Sequence, residues 1–96
     1  MLQTIKNDII ELLLKHFSDN DTNTFYINKR KFYQLFMIRY PLRYQKYDKN
    51  ILSSNILVNI IKTMNICSPF KFKKSKVKRY KFLQKKVKEY ERRLCL

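Results

Sequence analysis

Apolar residues recur at helical spacing in three stretches separated by polar breaks. Leu2, Ile5, Ile9, Leu12, Leu13 and Phe17 predict a first helix over about residues 4–18, with Thr4 as its N-cap and Asp8 and Glu11 toward the positive end of the helix dipole. Ser18-Asp19-Asn20-Asp21-Thr22-Asn23 ends it, because these side chains bond their own backbone and favour turns. Thr24-Phe25-Tyr26-Ile27 has the composition of a short strand. Asn28 can cap a second helix over 29–39 carried by Phe32, Leu35, Phe36 and Arg39/Tyr40, and Pro41 stops it. Ile56, Leu57, Ile60, Ile61 and Met64 predict a third helix, capped by Ser53 or Ser54 and stopped at Asn65. Lys62 is its only ionic residue, so it reads as the central core helix. After the Cys67-Ser68-Pro69 break, Val77, Tyr80, Leu83, Val87, Tyr90 and Leu94 are spaced 3, 3, 4, 3, 4, one stripe of a further helix.

These elements predict a mostly α chain: a small helical core over 1–69 and a basic amphipathic C-terminal helix or extension over 70–96. A short strand or β-hairpin can be accommodated. The expected core is Ile5, Ile9, Leu13, Phe32, Leu35, Phe36, Leu57, Ile60, Ile61 and Met64, with the last helix docking through Val77, Tyr80, Leu83 and Val87. At 96 residues the chain is one small domain at most.

Charge changes this picture. Residues 1–28 carry Lys6 and Lys15 against Asp8, Glu11, Asp19 and Asp21, a net −2. Residues 29–69 set eight cations against Asp48, and residues 70–96 set twelve against Glu89 and Glu91, so +7 and +10 follow. A +10 stretch repels itself, and an anionic lattice along it would relieve the conflict. The candidate phosphate contacts are therefore Lys71, Lys73, Lys74, Lys76, Lys78, Arg79, Lys81, Lys85, Lys86, Arg92 and Arg93, with Lys29, Arg30, Lys31, Arg43 and Lys46 as a second face. Lys29-Arg30-Lys31 open a helix, where free backbone N–H groups also favour phosphate. From Tyr40 to Lys49, tyrosines alternate with cations, a pattern that stacks bases and holds phosphates when it does not simply pack over a core.

Catalytic chemistry finds little support. His16 and the few acids form no general acid–base motif, and a helix-surface or core-edge role is the expectation for His16. There is no Gly-rich phosphate loop, and Asp19-Asn20-Asp21 lacks the glycine and bidentate glutamate of a calcium loop. Cys67 and Cys95 lack metal-site spacing and read as reduced, intracellular thiols. No enzyme activity, cofactor, metal or small-molecule substrate is expected. No apolar run reaches membrane-spanning length, and the first residues lack the features of a signal or transit peptide. A basic amphipathic helix lying on anionic lipid ranks last, because its apolar stripe is narrow and contains no Trp.

The chain has no Gly, Ala or Trp and is rich in Lys, Asn, Ile, Tyr and Phe, an alphabet of A+T-rich codons. Together with the charge gradient, this favours an RNA-binding structural protein of a ribonucleoprotein, most simply a ribosomal protein of an A+T-rich mitochondrial genome. It would bind rRNA phosphates and neighbouring proteins of the complex. The alternative is a winged-helix DNA-binding protein of a virus or plasmid, a replication or transcription regulator. Its order would be helix 4–18, strand 24–27, helix 29–39, recognition helix 51–65, wing 66–82 and a last helix. Asn55, Asn59, Lys62 and Thr63 would be its base readers. Against it stand a recognition helix that is nearly all apolar and a wing that would turn at Lys73-Lys74-Ser75-Lys76, without the Gly or Asn that tight hairpins demand.

Overall fold

The computed structural model describes residues 2–44, 52–71 and 78–94, the side chains of 69–71, 78 and 94 excepted. In chain order the elements are α1 (Leu2–Asp19), β1 (Thr24–Asn28), α2 (Lys29–Arg39), α3 (Pro41–Tyr44), α4 (Ser54–Met64), β2 (Cys67–Lys71), β3 (Lys78–Leu83) and α5 (Gln84–Leu94). The mostly helical class holds, with a small three-stranded sheet inside it. The strands are antiparallel in the order β1-β3-β2, so β3 is central.

Local chemistry accounts for most boundaries. The Asn28 side chain accepts the Lys31 backbone N–H at 2.8 Å and caps α2. Ser53 does the same for α4 by accepting from Ile56 N–H at 3.2 Å. Asn65 closes α4 in the left-handed conformation (φ 56°), which Asn tolerates better than most residues. Thr4 is not a cap: α1 already runs from Leu2.

One core joins the helices to the inner face of the sheet. Ile5, Ile9, Leu13 and Phe17 of α1 meet Phe32 and Phe36 of α2 and Leu57, Val58, Ile61 and Met64 of α4. Ile27, Tyr80 and Phe82 come from the sheet and Val87 from α5. Each fully buried side chain of this size contributes about 1.5–3 kcal/mol. Phe82 stacks on Phe32 with ring centroids 5.2 Å apart.

Three further expectations need correction. Residues 78–83 form a strand, not the start of a long helix, and the helix begins only at Gln84, whose N–H bonds the Asn23 carbonyl at 2.9 Å. Tyr80 and Phe82 alternate with Arg79 and Lys81, a period-2 pattern that a central strand with two neighbours can use on both faces. Leu35 is 43% exposed, because α2 buries Phe32 and Phe36 and turns Tyr33 and Met37 toward the core instead. Val58, not Ile56 or Ile60, completes the buried face of α4.

A polar anchor sits in the same core. Asp8 is buried at 4% exposure, and its carboxylate accepts from Arg43 Nη1 at 2.6 Å and from the Tyr44 hydroxyl. Tyr40 donates its hydroxyl to the Asp8 carbonyl at 3.0 Å. The network ties α3 to α1 and leaves no buried side-chain polar atom unpartnered among the described residues.

Candidate nucleic-acid interface

α4 has two faces of opposite character. Leu57, Val58, Ile61 and Met64 face inward, while Asn55, Asn59, Lys62 and Thr63 are exposed. On a helix, Asn55, Asn59 and Lys62 lie on one stripe at i, i+4 and i+7, with Thr63 beside it. Twenty-two of the 96 residues are Lys or Arg, yet this face carries one cation and two amides. Ile56 and Ile60 are half-buried shoulders along it.

The cations gather beside it. Lys29 donates from Nζ to Asn55 Oδ1 at 2.6 Å, so the start of α2 meets the start of α4. Arg30 and Lys31 follow, both exposed. Lys31 and Arg79 line one open groove of about 550 Å³ with Asn28 and Tyr26, which carries the positive band onto the sheet. On the outer sheet face Arg79 stands opposite Asn28 and Lys81 opposite Tyr26. Lys81 Nζ lies 5.8 Å from the Tyr26 ring centroid, a cation over an exposed aromatic face.

The predicted site residues are thus divided among several places. Lys29 reaches α4 at Asn55, Arg30 is exposed on the same turn, Lys31 and Arg79 line the groove beside β1, and Lys81 stands opposite Tyr26. Lys85, Lys86, Arg92 and Arg93 lie on α5, with Lys88 exposed among them. Lys71 and Lys78 are backbone register partners at the last described pair of β2 and β3. Lys46, Lys73, Lys74 and Lys76 lie outside the described residues, as do Tyr47, Lys49, Val77 and Cys95. Arg43 is held by Asp8, and Tyr40 and Tyr44 pack on Phe36 at 5.4 and 4.8 Å, so this part of the aromatic–cation run serves the core.

Other titrating groups behave structurally. His16 stacks on Phe25 at 3.6 Å, and partial burial lowers its pKa against the opposing pull of Asp19. Burial pushes the Cys67 thiol up to about 11, with Lys86 and Lys62 pulling the other way, so it stays protonated at neutral pH. No three metal-ligating side chains come together among the described residues. Among them also, no helix is long and apolar enough to cross a membrane.

Two features escaped the sequence reading. The role of Asp8 was signalled by its position three residues after Ile5 and four before Leu12, in phase with the buried stripe. The Tyr26–Lys81 pair had no signal in linear spacing, since 55 residues separate its members and only the β1–β3 register joins them. No protein-family model, curated protein or solved structure matches the chain.

Proposed function

We propose that the chain is a non-catalytic nucleic-acid-binding module that engages duplex DNA with α4, in the manner of a winged helix, as a replication or transcription regulator does. One observation carries the reading: the polar, amide-bearing face of α4 begins where Lys29 bonds Asn55, against a helix whose first turn is Lys29, Arg30 and Lys31. A helix of this width fits the major groove, where amides read base edges while neighbouring cations hold phosphates. The element order and the β1-β3-β2 sheet with its β2–β3 hairpin are consistent with this use. Six residues separate β2 from β3, so the pair does not depend on the two-residue turn that would demand Gly or Asn.

Replacing Asn55, Asn59 and Lys62 together by Glu sets carboxylates against the DNA and should abolish binding to a random-sequence duplex, read by fluorescence anisotropy. Unchanged affinity would remove α4 from the interface. RNA binding within a ribonucleoprotein is the second reading. It is favoured by the exposed cations Lys85, Lys88, Arg92 and Arg93 of α5, which the α4 surface does not require. A folded RNA hairpin that outcompetes duplex DNA, with affinity insensitive to the α4 substitutions, would favour it.

A further inference from the structure

We infer that Asn59 selects the base, reading an adenine in the major groove, whereas Asn55 is committed to Lys29 and positions the helix on a phosphate. This inference rests on the duplex reading above.

The two amides lie one turn apart on the same face but stand in different chemical states. The carbonyl oxygen of Asn55 already accepts the Lys29 ammonium at 2.6 Å. What remains is an N–H donor pair next to a positive charge, which suits a phosphate oxygen. The Asn59 side chain is exposed and makes no hydrogen bond to any described residue. Its amide therefore offers an acceptor and a donor side by side. Adenine presents the matching pair, the N6 amino donor and the N7 acceptor, and Asn pairs with it in bidentate fashion. Guanine presents two acceptors on that edge and can satisfy only the donor half.

The next turn is consistent with an A·T site. Thr63 spends its hydroxyl proton on the Ile60 carbonyl at 2.6 Å, leaving a methyl group and an acceptor. Such a residue is suited to contact with a thymine methyl. Asn59 and Thr63 are four residues apart, about 6 Å along the axis, close to two base-pair steps. The two side chains can therefore address neighbouring positions of one short site.

The test is a selection from a random duplex pool by the full chain, run in parallel with Asn59→Ala, Asn59→Gln and Asn55→Ala. All three changes are on the exposed face of α4, and circular dichroism confirms that each variant is folded. The wild type should enrich a core with a fixed adenine. Asn59→Ala should lose that preference by about ten- to hundred-fold at this one position, with affinity for the unselected pool retained. Asn59→Gln should retain adenine more fully than Asn59→Ala does, and Asn55→Ala should weaken all sequences alike. Pool binding with a base preference that Asn59→Ala leaves intact, or with no adenine at all, overturns the inference while duplex binding stands. Absence of any duplex binding overturns both.

Discussion

Asp8 carries more of the fold than its single charge suggests. A carboxylate taken out of water must be matched by donors, and Arg43 and Tyr44 supply them. Tyr44 is 1% exposed, so its hydroxyl has no water to turn to if Asp8 is removed. Tyr44→Phe should cost about 1.5–3 kcal/mol in urea denaturation, the range for a hydrogen bond to a charged group. Combined with Asp8→Ala, the losses should be less than additive, because both changes delete the same bond. Additive losses would mean that the two groups act independently. His16 supplies the pH-dependent counterpart. Its partial burial disfavours the imidazolium and outweighs the opposing pull of Asp19, so the folded chain binds the proton more weakly than the unfolded chain does. The stability it contributes is fully present above the unfolded value, about 6.5, and is lost as pH falls through the lowered folded value. The urea midpoint should therefore drop between about pH 7.5 and about pH 5.5, a window above the ordinary carboxylate range. His16→Phe keeps a ring on Phe25 and should flatten that drop; an equal drop in the variant would assign the effect to another group.

At the scale of elements, β3 is where two periodicities competed. Tyr80, Leu83 and Val87 satisfy a helical stripe, while Tyr80 and Phe82 satisfy a strand. Two hydrogen-bonded neighbours and the Phe32 stack decide for the strand. The two arrangements differ in which residue is buried. Phe82→Ala should cost about 3–5 kcal/mol by denaturant unfolding, and half-exposed Leu83→Ala clearly less; a helical stripe would reverse the order. What was legible in the chain was local. Asn28, Ser53 and Asn65 carry their capping chemistry in their own side chains, and α2 and α4 have periodicity enough to be placed. What was not legible depends on distant partners. Strand β2 begins at Cys67, in a segment that reads as a break, and it is a strand only because β3 returns to pair with it. The candidate interface followed the same rule. The cations at the start of α2 were visible, but their junction with Asn55 and Arg79 depends on tertiary approach.

For the molecule as a whole, the question is where a net charge of +15 is neutralised. The acids are concentrated in the first 28 residues, and Asp8 is internal, while Glu11 and Asp19 pair with Arg39 and Lys15 at 3.3 and 3.5 Å. Exposed pairs of this kind contribute about 0–1 kcal/mol and barely change the overall field. Two groups of the described cations stand on helices: α4 packs on α2, where Lys29, Arg30 and Lys31 stand, and α5, with Lys85, Lys88 and Arg92, packs on the acidic α1. A polyanion held by α4 should therefore neutralise the first group and leave the second to solvent. Each phosphate contact removed takes about 0.9 from the slope of log affinity against log salt on duplex DNA. Replacing Lys29, Arg30 and Lys31 by Gln should flatten the duplex slope by about 2.7, whereas replacing Lys85, Lys88 and Arg92 should leave it unchanged. The measurement is affinity across a salt series for both variants. A slope lost from the α5 set and kept in the α2 set would move the polyanion to the other side of the molecule. An equal loss from both would mean that it wraps around the chain, as a folded RNA can.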